Sequence, residues 1–387
     1  MAEGLFGELL FFCGQIIIVK LGQSVPYRRL EDASMSLTTL KEAIDHITPA
    51  DREAMAQAQA RWDRIAKPLG SLGLLEEAVV RAAGAMGTAE VSWSRKAVAV
   101  FCADSGAASE SGLQDGPSVT AAVASAMARG EACVCRMAWS AGAEVFPVDI
   151  GMASSVEEEG ILHRHVLRGT RSITQGPAMT RGDAVSAMMT GVWMAEDLLG
   201  RGFDLLAAGE MGVGSTAAAA AAAGVLLDLP PERTAGPAPG LSREGLLRRQ
   251  ELVARAVRVN KPNPDDPIDV LAKVGGLDIA AMTGFFLGAA LHRVPVVLDG
   301  AVSCTAALAA VRLCPDAAKS MIASHRPAEP CGGILLDALG LKPFIDARMY
   351  LGEGSGAVAA MPMLDMALSI YRGMAGFDRL GIRPYEK

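Results

Sequence analysis

The chain has 387 residues, with many glycines (42) and methionines (19) and few aromatic side chains. Its formal net charge is -7 and its pI is about 5.4, which argues against nucleic-acid binding because that function needs clustered basic charge. Seven cysteines at irregular spacing indicate reduced thiols and not a disulfide framework. We therefore expect a cytoplasmic protein with small-molecule ligands, long enough for one large α/β domain and a smaller lobe.

The first 34 residues differ from the rest of the chain. Residues 5–19 are apolar, but the run is too short to span a bilayer and contains Glu8. It lacks the preceding basic segment and the following cleavage site of a signal peptide. We expect residues 1–34 to be an N-terminal extension, either amphipathic, strand-like or disordered, or the product of an upstream start with Met35 as the alternative. No membrane partner is expected.

A helical pattern follows from residue 37 to residue 60, with a break and a fresh start at residues 48–51 (TPAD). Residues 67–76 (KPLGSLGLLE) form a loop punctuated by Pro and Gly, and a helix resumes at about Leu74. Such a loop is a connector or a segment that closes over a pocket. We expect residues 35–95 to join residues 345–387 in a small helical lobe, and residues 96–344 to form the core domain.

Apolar runs alternate with helical segments through the core. The runs, typical of strands buried on both faces, lie at residues 97–102, 144–150, 203–208, 294–299 and 320–323. The helical segments between them include residues 119–127, 181–199, 243–257 and 279–291. This alternation predicts an α/β fold, a three-layer Rossmann-like, mostly parallel sheet with helices on both faces.

The functional signal lies in a glycine-rich turn, residues 209–216 (GEMGVGST). The turn follows a predicted strand and leads into the alanine tract at residues 217–223, a strong helix former. A strand that turns through glycines into a helix presents free N–H groups to an anion. Taken alone, the turn is equally well an ordinary strand-to-helix connection with an exposed glutamate.

A second turn of the same kind, residues 351–357 (LGEGSGA), favours the functional interpretation. It follows a strand-like run at residues 348–351 and again precedes helix-like sequence. Because ligands of open α/β sheets bind at the carboxyl ends of strands, two such turns are expected to face each other across one cleft. Polar residues follow other strands as well, at residues 104–106, 149–151, 299–300 and 324–326. Cys133 with Cys135, and His163 with His165, are not expected to bind metal.

Several ordered blocks make the chain resemble the nicotinate-nucleotide:dimethylbenzimidazole phosphoribosyltransferases of cobamide assembly. These blocks are residues 67–76, 169–171 (GTR), 176–180 (GPAMT), 209–214, 297–300 (VLDG), 324–330 (SHRPAEP) and 351–357. The resemblance covers nearly everything from about Met35 to the C-terminus. It implies a three-layer Rossmann-like core, a small lobe built from both termini, and a homodimer. We expect no cofactor and no metal, and a heterodimer is the alternative assembly.

The resemblance also implies a reaction and residue roles. The ribosyl 5-phosphate of nicotinate mononucleotide passes to a lower-ligand base such as dimethylbenzimidazole, with inversion from β to α. Glu353 corresponds to the catalytic base and Glu210 to a second active-site carboxylate. The residues expected to hold nucleotide and phosphate are Gly209, Gly212, Gly214, Ser215, Thr216, Gly275, Gly276, Ser324, Arg326, Gly352 and Gly354. The residues expected to line the acceptor-base pocket are Asp104, Ser105, Leu113, Pro117 and Leu351.

The chain departs from the family pattern around the acceptor. Ser105 replaces a histidine, Leu113 and Pro117 replace a serine and a glutamine, residues 215–218 (STAA) replace Asn-Thr-Thr-Pro, and residues 331–333 (CGG) replace Gly-His-Arg. These changes remove hydrogen-bonding groups and spare both glutamates. We therefore expect retained chemistry with an altered base preference, for another benzimidazole, a purine or a phenol.

Three alternatives remain at this point. Besides an active transferase, the chain could belong to one of three other classes. The first is a weakly active paralogue or one subunit of a heteromeric transferase, the second is a nucleotide-binding oxidoreductase, and the third is a non-catalytic sensor of nucleotides or bases. An oxidoreductase needs a dinucleotide fingerprint after the first core strand, which residues 103–106 (ADSG) do not provide. A sensor would bind ligand without turnover.

Overall fold

The structure is a computed structural model that describes residues 10–12, 15–17, 39–108, 116, 118–236 and 242–385. Contacts between Cα atoms divide the chain into two compact units, Met1–Thr38 and Thr39–Lys387. The first unit contains strands β1 (Leu10–Phe12) and β2 (Gln15–Ile17), which pair antiparallel. The division into a small lobe and a core domain within the second unit stays a prediction.

A six-stranded sheet forms the centre of the second unit. Its strands are β3 (Lys96–Ala103), β4 (Ala143–Gly151), β5 (Leu162–His163), β6 (Leu205–Met211), β7 (Val296–Leu298) and β8 (Met321–Ala323). They lie in the order β5-β4-β3-β6-β7-β8, and every pairing between them is parallel. All eight residues of β3 are buried, as the continuous apolar run predicts. The predicted parallel sheet is confirmed.

Helices cover both faces of this sheet. They are α1 (Leu40–Asp45), α2 (Arg52–Arg64), α3 (Leu74–Met86), α4 (Ser118–Ala128), α5 (Cys133–Ala141), α6 (Arg181–Gly200), α7 (Ser215–Leu227), α8 (Pro231–Thr234), α9 (Arg243–Asn260), α10 (Pro267–Val274), α11 (Leu277–Leu291), α12 (Ala301–Leu313), α13 (Gly332–Ala338), α14 (Ser355–Gly373) and α15 (Phe377–Leu380). The three-layer architecture and the predicted core helices are confirmed. Among the described residues, no helix has both the length and the apolar character needed to cross a membrane.

Each face has its own way of packing. On one face, a single apolar cluster joins alternate residues of β3 and β6 to α2, α3, α4, α5 and α14. On the other, Phe101 of β3 meets Phe285 of α11 with ring centroids 5.8 Å apart. Helices α6 and α11 approach so closely that a Cβ atom at Gly191 or Gly284 would overlap the backbone of the facing helix. Glycine is therefore required at this crossing.

The N-terminal helices contact the last long helix. Trp62 of α2 lies against Tyr371 of α14, with ring centroids 5.1 Å apart. The Tyr371 hydroxyl donates to the carbonyl of Ala89 at 2.7 Å, and Arg61 Nε donates to the Tyr371 carbonyl at 3.1 Å. These contacts join α2 and the segment that follows α3 to α14.

The loop at residues 67–76 contains its own ion pair. Lys67 Nζ lies 2.6 Å from Glu76 Oε1, and both side chains are buried, with exposures of 9% and 5%. The same oxygen accepts the Leu72 N–H at 2.9 Å, while Gly70 and Gly73 turn the chain with φ angles of 65° and 54°. The first and last residues of this loop, Lys67 and Glu76, are therefore joined by an ion pair.

One predicted strand is wrong. Residues 348–351 form no strand, and the second glycine turn is reached through a loop. Arg348 has a φ angle of 53°, and a left-handed residue of this kind interrupts an extended run. The two glutamate turns therefore do not end two strands of one sheet, although both lie at its carboxyl edge.

Candidate active site

The first glycine turn connects β6 to α7. Strand β6 continues through Glu210 to Met211, and α7 begins at Ser215, with Gly214 as its N-cap at a φ angle of 94°. A Cβ atom at Gly212 would overlap the carbonyl of Ala103. The predicted strand–turn–helix is therefore confirmed, and glycine is needed at two of its positions.

Ser215 and Thr216 have different environments. The Ser215 hydroxyl is buried and donates to the carboxylate of Asp278. Burial raises the pKa of Asp278 to about 6, and the hydrogen bond from Ser215 acts in the opposite direction. Thr216 is exposed and lines a cavity. Thr216 thus lines the cavity, whereas the Ser215 hydroxyl is bonded to Asp278.

The second glycine turn is an unusual backbone segment. Gly352, Glu353 and Gly354 all have left-handed φ angles, of 82°, 61° and 83°. A glutamate in this conformation is strained where a glycine is not, and such residues often mark functional sites. The Glu353 N–H donates to the carbonyl of Glu210 at 3.0 Å, so the backbones of the two turns are in direct contact.

Asp299, at the end of β7, holds the second turn. Its carboxylate accepts the N–H groups of Gly354 at 3.0 Å, Gly356 at 2.7 Å and Ala357 at 3.2 Å. A carboxylate at a helix N-terminus satisfies N–H groups that have no partner within the helix. Burial nevertheless raises the pKa of Asp299 to about 6, against the lowering effect of these bonds.

The two glutamate side chains point to different surroundings. Glu210 lies beside Gly352, with Oε1 2.9 Å from the position that a Cβ atom there would take. Glu353 Oε2 accepts the Val134 N–H at 3.3 Å, at the N-terminus of α5. Glu210 and Thr216 line the same cavity, whereas Glu353 is not among the described residues that line this cavity. The two backbones are in contact, and the two carboxylates have different hydrogen-bonding neighbours while remaining close enough for their charges to interact.

Both carboxyl groups bind protons more tightly than a glutamate in water. Burial raises the pKa of Glu210 well above its ordinary value, and the neighbouring carboxylates of Asp278, Asp299, Glu329 and Glu353 raise it further. Burial also raises the pKa of Glu353, against the hydrogen bond from Val134. Such shifts are expected of a general base that operates near neutral pH.

The cavity beside Glu210 is small and polar. It has a volume of about 40 Å³. Its walls include Glu210, Thr216, Asp299, His325, Glu329 and Leu351. A larger, more open depression of about 480 Å³ lies next to it, shares Glu329 as a wall, and contains Arg326 and Arg348.

Two buried polar atoms at the cavity, and a third on a side chain close to one of them, have no hydrogen-bond partner among the described residues. They are His325 Nε2, Glu329 Oε2 and Arg249 Nε. His325 and Glu329 line the cavity, and the charges of Glu329 and Arg249 influence each other's pKa. Buried polar groups are almost always paired in folded proteins. An unpaired group on each of three neighbouring side chains indicates a place where a polar ligand binds.

The sequence assigns no role to these three residues, and of them only His325 lies in a polar segment, residues 324–326, that was expected at the carboxyl edge of the sheet. His325 and Glu329 stand in the block at residues 324–330, so that block is the signal that points to them. Arg249 comes from the middle of α9, where a charged residue in an amphipathic pattern looks like part of a solvated face. Only its burial, at 3% exposure, distinguishes it.

The other predicted nucleotide-binding residues lie in several places. Ser324 is buried, and its hydroxyl lies 2.9 Å from His325 Nδ1. Arg326 is exposed in the open depression. Gly275 and Gly276 join α10 to α11, and Gly276 is the N-cap of α11, next to Asp278. A Cβ atom at Gly209 would overlap Gly354.

The predicted acceptor-pocket residues are only partly described. Asp104 is buried and accepts the Thr120 hydroxyl at 2.6 Å and the Ala153 N–H at 2.8 Å, so its carboxylate joins α4 to the end of β4. Ser105 is buried against Gly214, and Leu351 is exposed at the cavity. Leu113 and Pro117 lie outside the described residues. The structure brings Ser105 to the first turn and Leu351 to the second.

Comparison with known proteins agrees with this geometry. A model of a phosphoribosyltransferase family matches residues 47–382. Relatives named nicotinate-nucleotide–dimethylbenzimidazole phosphoribosyltransferase include one from Ruminiclostridium cellulolyticum, 41% identical over 90% of this chain and 99% of its own. Another, from Clostridium acetobutylicum, is 39% identical over 90% of this chain and 99% of its own. A crystal structure of CobT from Thermus thermophilus matches with a TM-score of 0.82 and 38% identity, covering 86% of this chain and 100% of that one.

The parallel sheet, the glycine turns at its carboxyl edge and the family match define the protein as a phosphoribosyltransferase. Within that class, the extent of the similarity identifies its family. The chain belongs to the nicotinate-nucleotide–dimethylbenzimidazole phosphoribosyltransferase family.

Proposed function

We propose that the protein transfers the ribosyl 5-phosphate of nicotinate mononucleotide to a lower-ligand base, dimethylbenzimidazole or a related base. The products are the α-riboside 5-phosphate of that base and nicotinate, used in assembling the nucleotide loop of cobamides. The observation that carries the proposal is the hydrogen bond from the Glu353 N–H to the Glu210 carbonyl. It brings two residues whose carboxylates have raised pKa to one edge of the sheet, where α/β proteins bind ligands.

The chemistry needs a base more than it needs an acid. Nicotinate leaves the ribosyl carbon with the electron pair of the broken C–N bond, so its pyridinium nitrogen becomes neutral without accepting a proton. The acceptor nitrogen forms the new C–N bond from the opposite face, which inverts the configuration, and the azole must lose its N–H proton. We assign that proton to the carboxylate of Glu353, whose raised pKa suits it to accept a proton near neutral pH.

Glu210 has a different role in this proposal. The ribosyl carbon becomes positively charged as the bond to nicotinate breaks, and a nearby carboxylate stabilises that charge. We place Glu210 at the sugar because it lines the cavity beside the second turn, and the positive charge of the bound donor favours its ionised form.

The 5-phosphate needs donors and a positive charge. Arg249 is buried, and its Nε atom has no partner among the described residues, while a terminal nitrogen donates to the Gly236 carbonyl at 3.3 Å. A guanidinium group suits bidentate binding of phosphate. We assign the phosphate to Arg249 and to the hydroxyl of Thr216, with Arg326 as a further cation at the open depression.

We further propose that this protein prefers an acceptor other than dimethylbenzimidazole. Ser105 stands where the family has a histidine, and in the structure it is buried against Gly214 and accepts the Ala107 N–H at 3.3 Å. A pocket without a given polar partner discriminates poorly at the corresponding edge of the base. The alternative, a weakly active paralogue or one subunit of a heteromer, predicts donor binding without turnover.

The test is release of nicotinate from nicotinate mononucleotide, followed by chromatography with dimethylbenzimidazole, benzimidazole, adenine and p-cresol as acceptors. We expect release that depends on an acceptor in the wild-type protein and collapses in Glu353→Gln. The acceptor with the highest kcat/KM then defines the pocket. Binding of the nucleotide without release for any acceptor would favour the paralogue or heteromer.

We also propose a homodimer in the cytoplasm. The six cysteines in the described part of the chain are all free thiols, which supports a reducing compartment. Exposed apolar side chains such as Trp139, at 78% exposure, and Met366, at 57%, offer surface for association. Light scattering after size exclusion distinguishes a dimer from a monomer.

A further inference from the structure

The small cavity beside Glu210 limits what can enter it. Its volume of about 40 Å³ is room for about three water molecules, at roughly 10–15 Å³ each. The polar lining of this space suits the hydroxylated edge of a sugar ring better than the apolar face of an aromatic base. We therefore consider the sugar of the donor as the group that enters the cavity.

The walls of the cavity complement hydroxyl groups. His325, at 1% exposure, has its Nε2 atom unpartnered among the described residues, and Glu329 has an unpartnered Oε2 atom. A hydroxyl group both donates and accepts one hydrogen bond or more. It can donate to the carboxylate of Glu329 and accept from an N–H of His325.

Ser324 controls the orientation of the histidine. Its hydroxyl lies 2.9 Å from His325 Nδ1, and Gly356 leaves the space that the imidazole ring occupies, since a Cβ atom there would overlap the ring. Burial lowers the pKa of His325 and so favours the neutral ring, while a hydrogen bond with the Met349 backbone acts in the opposite direction. We assign the tautomer in which Ser324 donates to Nδ1, which places the single ring proton on Nε2, toward the cavity.

We propose that His325 and Glu329 bind the vicinal diol of the donor's ribose and make the enzyme select ribosyl over deoxyribosyl donors. Each residue supplies one of the unpartnered atoms, and Ser324 is a positioning residue that sets the histidine tautomer. The assignment rests on the proposed function, because it takes the donor to be a ribosyl nucleotide. It adds two residues and a specificity to that function.

Binding of intact donor and of its 2-deoxy and 3-deoxy analogues tests the assignment. Calorimetry without an acceptor avoids the different chemical reactivity of the deoxyribosyl bonds. We expect the wild-type protein to bind at least one deoxy analogue about tenfold or more weakly than nicotinate mononucleotide, the loss typical of a hydrogen bond to a charged or buried group. Equal affinity for all three donors overturns the proposal without any variant.

Two substitutions at position 325 separate the two ring nitrogens. The amide nitrogen of glutamine reaches the position of Nε2, whereas that of asparagine reaches the position of Nδ1. We expect His325→Gln to retain discrimination between ribosyl and deoxyribosyl donors, and His325→Asn and Glu329→Gln each to lose about tenfold of it. Weakening of all donors by the same factor would mean a structural role and would overturn the assignment.

Matched controls come from elsewhere in the chain. His292, at the end of α11, also has a buried Nε2 atom without a partner among the described residues, so His292→Asn removes the same group away from the cavity and should leave discrimination unchanged. Glu232→Gln does the same for a carboxylate on α8. Nicotinate release tests the proposed function separately. Release without discrimination overturns the diol assignment alone, and discrimination without release overturns the transferase alone.

Discussion

The two glycine–glutamate turns have similar sequences and different construction. The first is local, because β6 ends, Gly212 and Gly214 turn the chain, and α7 begins. The second is held from a distance, because Asp299 accepts three of its N–H groups and the Glu210 carbonyl accepts a fourth. The backbone of the first turn follows directly from β6 and α7, with Thr120 and Asp278 bonded to Val213 and Ser215, whereas the second turn follows a loop and is fixed by N–H bonds to Asp299 and Glu210. The position of Glu353, our proposed base, therefore depends on β6 and β7 being in place.

Replacing each of the two glutamates by glutamine is expected to have the largest effect and tests whether the two turns have different roles. We expect Glu353→Gln to lower kcat by about 10²–10⁴-fold, the usual value of a general base, with little change in KM. Glu210→Gln removes a charge that we place beside the sugar. We therefore expect it to reduce kcat/KM less than Glu353→Gln does, and to weaken donor binding as well. Steady-state kinetics with nicotinate mononucleotide measures both. A larger loss of kcat in Glu210→Gln than in Glu353→Gln would reverse the assigned roles.

A side chain placed between the two turns should separate them. A Cβ atom at Gly209 would overlap the backbone of Gly354, so Gly209→Ala should lower the free energy of unfolding by about 3 kcal/mol. Urea denaturation measures this loss. The control is Gly176→Ala, where a Cβ atom has nothing within 4 Å and the change should stay within about 0.5 kcal/mol. Equal stability of the two variants would contradict the contact.

The support from Asp299 predicts a dependence of stability on pH. Burial raises the pKa of Asp299 from 3.8 to about 6, so the folded protein binds this proton more tightly than the unfolded chain. Its contribution to the free energy of unfolding therefore falls by about 3 kcal/mol as pH rises from about 4 to 6, and is constant above.

The variant Asp299→Asn removes this titration. Relative to wild type, its free energy of unfolding should fall less between about pH 4 and pH 6, as measured by urea denaturation at a series of pH values. Asp337→Asn, on an exposed position of α13, should keep the wild-type profile. Parallel profiles for wild type and Asp299→Asn would show that this carboxylate does not titrate in that range.

The smallest expected effect concerns the backbone of the second turn. Glu353 has a φ angle of 61°, where any residue with a Cβ atom is strained by about 1 kcal/mol or more relative to glycine. Both Glu353→Gly and Glu353→Ala lose the carboxylate, so they differ chiefly in this strain. We expect the glycine variant to be more stable by about 1 kcal/mol in urea denaturation. An alanine variant of equal or greater stability would contradict the strain.

The parts of the fold that were predictable follow from local patterns. A buried strand such as β3 is a continuous apolar run in the sequence, and the alanine tract after Ser215 is typical of a helix. The strand predicted at residues 348–351 was wrong because its apolar residues resemble a strand, whereas the left-handed Arg348 prevents one. Periodicity does not reveal a backbone conformation that tertiary contacts impose.

The site was predictable only where it coincides with a motif. The two glutamates stand among glycines, and that pattern identifies them. Arg249 and Val134 reach the site from α9 and α5, and no spacing in the sequence connects them to the turns. Arg249 and Val134 lie at the site because the order of the strands brings α9 and α5 near the turns. That order is set by packing across the whole unit.

The bond between the Glu353 N–H and the Glu210 carbonyl also bears on how the enzyme is made. Strand β8, the last of the six-stranded sheet, ends at Ala323, so a growing chain contains all strands of that sheet before Glu353 is synthesised. Contacts between residues so distant in sequence form late, because closing a long loop costs entropy. All six strands are therefore synthesised before Glu353, and we expect transferase activity only after the segment that contains Glu353 has docked against Glu210.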